Sequence, residues 1–264
     1  YQCYWYLPIG NGERMVKGTT TGSTPPVSSM TKDDKFLGMM GYLAARKVYG
    51  EPYLITEWDA SQPNPWRCEN NLEMIALTCQ NRWNPFWFAW QNVTPDLAYN
   101  TDSTQIWNLG GHQINRRPEA IAVMPILARM VYRGDVKEAE KGYYVRRFYE
   151  GDAEQKKGQT DTFDMRYSVA GQSSVVFDDI AFDENYTDND VIKLVRYGEK
   201  TGEYMSYLDQ IKLDYNKKIF YVNTDRTQAI AGYIGKETTE LDDVIFDMDS
   251  QNNHGSVYLQ SLTD

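Results

Sequence analysis

From Tyr1 to about Lys141 the chain alternates between strand-like and helix-like runs, with connections long enough for right-handed parallel crossovers. The clearest strand, residues 53–58, lies in "YLITEWD" and is set off by Gly50-Glu51-Pro52. Both of its faces are largely apolar, as befits a strand covered on two sides in a parallel sheet. Residues 1–7 read as an earlier strand and "FWFAW", residues 86–90, as a later one. Thr31, with Asp33 and Asp34 behind it, can start a helix in which Phe36, Met39, Met40, Leu43 and Ala44 recur at helical spacing until Gly50. A second helix places Leu72, Ile75, Ala76 and Cys79 on one face, and a third starts at Pro118 and bends around Pro125. "GNGERMVKGTTTGSTPPVSS" and "DASQPNPWR" read as polar loops.

After Lys141 the pattern changes to short runs: "DTFDMRYSV", "SVVFDDIAF", "VIKLVRY", "QIKLDY", "KIFYVNT", "AIAGYIG", "DVIFDM" and "SVYLQSL". These read as strands of an antiparallel β-sandwich, with a hairpin turn at Asn216-Lys217. The expected organisation is therefore an α/β part over residues 1–141 and an all-β part over residues 142–264.

Charge narrows the partners. The 264 residues carry a net charge of −10 and no Lys/Arg-rich run, so phosphate backbones and anionic membrane surfaces are repelled, and neither nucleic acid nor membrane is an expected partner. No apolar run reaches the length of a membrane span, and "YQCYWYLPIG" lacks the basic start and apolar stretch of a signal peptide. Cys3, Cys68 and Cys79 make an odd count. The last two fall on one helix, eleven positions or roughly 16 Å apart along its axis, too far to bridge.

Several chemistries drop out. His112 in "GGHQ" and His254 in "NNHG" belong to no metal-site or hydrolase-triad pattern and read as ordinary loop residues. No phosphate-binding glycine loop occurs, so neither a nucleotide cofactor nor any other is expected. "DENYTDNDV" gathers Asp183, Glu184, Asp188 and Asp190 without the order of a calcium loop, and reads as a solvated acidic loop; no metal is expected.

Carboxylate chemistry remains. An ionised Glu57 inside an apolar sheet is costly, so it belongs at the strand's carboxyl end, facing a cleft. The seven Trp and twenty Tyr offer flat surfaces that stack on sugar rings, and those beside Glu57 and at strand ends are the candidates. One carboxylate can attack an anomeric carbon while a second carboxyl group protonates the leaving oxygen.

"GEPYLITEWDASQPNPWRCE", "FWFAW" and "RRPEAIAVMPILARMVYRGDVKEA", in this order, resemble the last strands of the barrel in clan A glycoside hydrolases. The closest likeness is to large bacterial sugar hydrolases whose barrels continue into β-sandwich domains. "LDYNKKIFYVNTDRTQAIAGYIG" and "SVYLQSLTD" are similar to that sandwich. The resemblance implies the last three βα units of a TIM (β/α)8 barrel followed by an antiparallel β-sandwich. It implies retaining hydrolysis of a β-linked oligo- or polysaccharide, with Glu57 as nucleophile at the end of the seventh barrel strand. Tyr4, on the sixth strand, would touch the nucleophile; Trp5 and Trp58 would shape the subsite, and Trp90, on the eighth, would lie nearest the innermost sugar. Asn64, Trp66 and Arg67 in the loop after the seventh strand, and Gln91, would line the rim. An extracellular or periplasmic location is the corresponding expectation.

The sequence departs from that pattern in one respect. The acid/base Glu, usually in an Asn-Glu pair at the end of the fourth strand, has no counterpart; "CENN" has Glu69 before Asn70, on a helix. A complete barrel takes about 200 residues or more. The acid/base is therefore expected from an amino-terminal part of the barrel, on a separate chain or a preceding segment. The alternative is a non-catalytic carbohydrate-binding or scaffolding protein on the same fold. The sandwich is expected to brace the barrel, with Tyr204, Tyr207 and Tyr215 as its one grouping of aromatics.

Overall fold

A computed structural model describes residues 2–3, 15–16, 19–20, 38–57, 68–85, 118–147, 164–177, 187–235, 238–248 and 254–263. In chain order the elements are β1 (Gln2–Cys3), β2 (Met15–Val16), β3 (Thr19–Thr20), α1 (Gly38–Ala44), β4 (Leu54–Glu57), α2 (Cys68–Asn81), β5 (Asn84–Pro85) and α3 (Pro118–Arg133). They continue with β6 (Gly142–Arg147), α4 (Met165–Ala170), β7 (Gln172–Phe177), α5 (Asn189–Thr201), β8 (Glu203–Met205), β9 (Ile211–Asp214), β10 (Ile219–Asn223), β11 (Thr227–Gly232), β12 (Thr239–Glu240), β13 (Ile245–Phe246) and β14 (Gly255–Gln260).

Three strands from the first part form a parallel sheet in sequence order, β1-β4-β5. Gln2 pairs with Ile55, Cys3 with Glu57, Leu54 with Asn84 and Ile55 with Pro85. α1 lies between the first two strands in the chain and α2 between the second and third, and α3 starts at Pro118 with Pro125 inside it. "FWFAW" follows β5 and lies outside the described residues. Within the polar segment read as a loop, β2 and β3 form a short antiparallel ladder.

α2 is buried along almost its whole length, including Glu69, Asn70, Asn71, Glu73, Gln80 and Asn81. Buried amides require partners. Gln80 Nε2 donates to the carbonyls of Ser168 (2.7 Å) and Val169 (2.8 Å), and Asn81 Nδ2 donates to that of Ser168 (3.0 Å). Those carbonyls sit in the last turn of α4, where no intrahelical donor remains for them. Asn81 Oδ1 accepts from the backbone amide of Ser173 at 2.9 Å, fastening the same helix end to β7.

Most of the second part is an antiparallel sheet of order β14-β11-β10-β9-β8. Its register sorts the side chains onto two faces. Ile211, Leu213, Phe220, Val222, Ala229 and Ala231 join a core that also holds Leu72, Met74, Ile75 and Leu77 of α2, together with Met40, Leu43 and Ile55. Ile219, Tyr221 and Ile230 face the other way, onto Ile234 and Phe246. One core therefore contains residues from both sides of Lys141. The hairpin read at Asn216-Lys217 joins β9 to β10, with the Asp214 carboxylate accepting from both backbone amides at 3.0 Å.

The expectation of antiparallel strands throughout residues 142–264 is corrected in three places. "DMRYSV" forms α4 and "VIKLVRY" lies in α5, while β7, from "SVVF", pairs parallel to β6. Caps decided the helices: Asp164 accepts from the Arg166 amide at 3.0 Å and Asp188 from the Asp190 amide at 2.8 Å. In α5, Val191, Val195 and Gly198 are buried at helical spacing, and Gly202 closes the helix at φ 78°, a left-handed conformation that glycine adopts without strain. Parallel pairing of β6 with β7 requires a crossover, and α4 lies in it.

The end of α3 is clasped to this sheet. Gly134, at φ 61°, turns the chain so that the Arg133 guanidinium holds the Asp135 carboxylate at 2.6 Å, with both side chains buried. Thr227 Oγ1 donates to Asp135 Oδ2 at 2.5 Å, Gln260 Nε2 donates to Thr227 Oγ1 at 2.9 Å, and Arg133 Nη1 donates to the Ser261 carbonyl at 2.9 Å. Among the described residues no helix is long and apolar enough to cross a membrane.

Two substitutions test this packing by urea unfolding at pH 7. Phe220→Ala, at a fully buried site on the α2-facing side, is expected to lose about 3–5 kcal/mol. Asp135→Ala strands a buried guanidinium and is expected to lose a similar amount, about 3–5 kcal/mol.

Candidate functional site

The candidate nucleophile is the last described residue of the central strand of the parallel sheet. Behind it β4 is firmly rooted. Ile55 is fully buried, and Tyr53, also buried, donates its hydroxyl to the Leu43 carbonyl at 2.9 Å while meeting Trp83 edge-on at 6.3 Å. The turn before the strand is fixed by Gly50 at φ 79° and by Lys47, whose ammonium donates to the Glu51 carbonyl at 2.5 Å. Burial is the main cause that lowers the Lys47 pKa; nearby Arg82 adds to it and Glu51 opposes it.

Parallel pairing means that the chain runs back through α2 between β4 and β5. α2 therefore begins at the end of the sheet where β4 finishes. This end carries Glu57 at the end of β4, Cys3 beside it on β1, and Cys68 at the first described position of α2. Tyr4 and Trp58 follow directly in sequence, but Tyr4, Trp5, Trp58, Asn64, Trp66, Arg67, Trp90 and Gln91 all lie outside the described residues.

The structure brings together three residues that no sequence pattern linked. His254, just before β14, has its Nε2 2.8 Å from Glu69 Oε2 and its Nδ1 3.4 Å from Cys68 Sγ. Glu69 is only 2% exposed, so it is a held carboxylate inside the fold. His254 is thus not the ordinary loop residue that its surroundings in sequence suggested. Cys68 and Glu69 are neighbours in the chain and His254 lies about 185 residues further on, so only the packing of β14 against α2 brings it to them.

Other candidates have structural partners. Tyr204 accepts from Arg166 Nη1 at 2.8 Å, and Tyr207 accepts from the Glu140 amide at 2.9 Å. Tyr215 meets Tyr204 edge-on at 5.6 Å, and burial pushes its hydroxyl pKa far up. They do not make a shared flat platform. In the acidic run, Asp188 caps α5, and hydrogen bonds from Lys141 and Lys193 hold Asp190 down at about 2. Among the described residues no group of three or more His, Cys, Asp or Glu could hold a metal ion. Among the described residues neither Cys68 nor Cys79 is in a disulfide.

Comparison of the chain with protein-family models, curated proteins and solved structures finds no match.

Burial, helped by the charge of Asp135, pushes the Cys79 thiol from an ordinary 9.0 up to about 12. The proton is then held more tightly in the folded than in the unfolded chain. The stability it contributes is full below pH 9 and lost as pH rises towards 12. Urea midpoints measured from pH 8 to 11 are expected to fall, and Cys79→Ala is expected to flatten that slope.

Proposed function

We propose that this chain supplies the nucleophile-bearing part of a retaining glycoside hydrolase acting on a β-linked oligo- or polysaccharide. The observation that supports the reading best is the parallel sheet in sequence order with Glu57 as the last described residue of its middle strand. In a closed (β/α)8 barrel, catalytic groups emerge at the carboxyl ends of strands, and consecutive strands are neighbours. β1, β4 and β5 would then be the sixth, seventh and eighth strands, and the antiparallel sheet would brace the helix between the last two.

In this mechanism Glu57 attacks the anomeric carbon from the face opposite the leaving oxygen and forms a covalent glycosyl ester. A second carboxylic acid protonates the leaving oxygen and then, as a carboxylate, takes a proton from the water that cleaves the ester. That second group would come from an amino-terminal part of the barrel, within roughly 5.5 Å of the Glu57 carboxylate. Tyr4, Trp5, Trp58, Asn64, Trp66 and Trp90 remain the proposed sugar contacts. The carbohydrate substrate and the part that completes the barrel are the proposed partners, and secretion to the extracellular space or periplasm would suit a polymeric substrate.

The test uses the assembled protein and an activated aryl β-glycoside. Glu57→Gln is expected to reduce kcat by roughly 10³-fold or more with little change in melting temperature. Glu57→Ala with added azide is expected to recover turnover and to give the α-glycosyl azide, because azide enters from the face that the carboxylate left. Unchanged turnover in Glu57→Gln rules the nucleophile out. Oligosaccharide binding with no turnover, even in the unaltered protein, favours a carbohydrate-binding scaffold.

A further inference from the structure

We propose that Cys68, His254 and Glu69 form an activated-thiol site that exchanges with small disulfides, independently of the glycosidase reading. The geometry is that of a relay. With Glu69 Oε2 as the acceptor in the 2.8 Å contact, the imidazole proton lies on Nε2. Nδ1 then presents its lone pair to the thiol 3.4 Å away. Transfer of the thiol proton to Nδ1 gives a thiolate beside an imidazolium whose other N–H is already held by a carboxylate that is 2% exposed. Cys68 is the first described residue of α2. The residue is half-buried.

The surrounding groups fit this role. Tyr233 meets the His254 ring edge-on at 5.1 Å and carries the Lys218 ammonium 5.4 Å from its own ring centre. Burial raises the hydroxyl pKa of Tyr258 of β14; a hydrogen bond with Ser256 opposes this and nearby Cys68 adds to it. Among the described residues the titratable groups around the pair include Glu69 on α2, Tyr258 on β14, Tyr233 after β11 and Lys218 before β10. With a buried carboxylate in the site and a net charge of −10 on the chain, a neutral or cationic disulfide suits it better than an anionic one.

The exchange balances without further reagents. The Cys68 thiolate attacks one sulfur of the disulfide, a new S–S bond forms as the old one breaks, and the departing thiolate takes the proton from His254. The products are a mixed disulfide on Cys68 and one free small thiol.

The test follows Cys68 in the folded protein, with Cys79→Ala as background, using iodoacetamide for the pH profile and hydroxyethyl disulfide for the exchange. Fragment masses of the labelled peptide locate the adduct. Cys68 is expected to react at pH 6 roughly 10- to 100-fold faster than a free thiol's ionised fraction predicts, with a profile midpoint below about 8.5. His254→Gln and Glu69→Gln are expected to move that midpoint upwards, and hydroxyethyl disulfide to add one mercaptoethanol unit to Cys68. A midpoint at or above that of a free thiol in the unaltered protein overturns the proposal whether or not the variants fold. An unchanged midpoint in a folded His254→Gln protein, or no adduct with the disulfide, overturns it as well.

Discussion

A helix buried on every side is the constraint on which the rest of this structure depends. A crossover helix in a parallel α/β sheet ordinarily covers the sheet with one stripe and shows water the other. α2 has no such second face. Leu72, Met74, Ile75 and Leu77 lie in one core with Ile55 of the parallel sheet and Phe220, Val222, Ala229 and Ala231 of the antiparallel one. The polar residues that would be solvated on an ordinary helix are enclosed, and those at its end are satisfied by α4 and β7. The two sheets therefore cannot pack independently of each other.

This sharing affects the candidate site. The end of β4 and the start of α2 lie at the same end of the parallel sheet, and α2 is gripped along its length by the antiparallel strands. A second fastening, through Arg133, Asp135, Thr227 and Gln260, holds the end of α3 to β11 and β14. A catalytic carboxylate must be held to a fraction of an ångström. In the proposed reading, that rigidity for Glu57 comes from the accessory sheet as well as from the barrel strands. The same strand β14 delivers His254 to Cys68 and Glu69, which makes the proposed thiol site a product of the packing between the two parts.

The first two strands of the parallel sheet were legible because their signals are local, apolar runs of strand length with helices between them, and Pro118 marked the start of α3; Gly50, read as the stop of the first helix, lies beyond its end at Ala44. The hairpin at Asn216-Lys217 was legible for the same reason. α4 and α5 were not, because Met165–Ala170 is too short for periodicity to separate helix from strand, and "VIKLVRY" is rich in β-branched residues. Their capping aspartates, Asp164 and Asp188, were the available signal. Glu57 stood out because a carboxylate at the end of a buried strand is expensive. The Cys68–His254–Glu69 cluster left no trace in sequence, since it exists only after residues about 185 positions apart have packed together.

The proposed role of Glu57 is tested most directly by trapping its covalent intermediate. An activated 2-deoxy-2-fluoro β-glycoside, incubated with the assembled protein, slows breakdown of the glycosyl ester enough for mass spectrometry to find it. A stoichiometric adduct on the carboxylate of Glu57, removed on adding an acceptor alcohol, is the predicted result. An adduct on a different carboxylate, or hydrolysis of the substrate with inversion at the anomeric carbon, would contradict it.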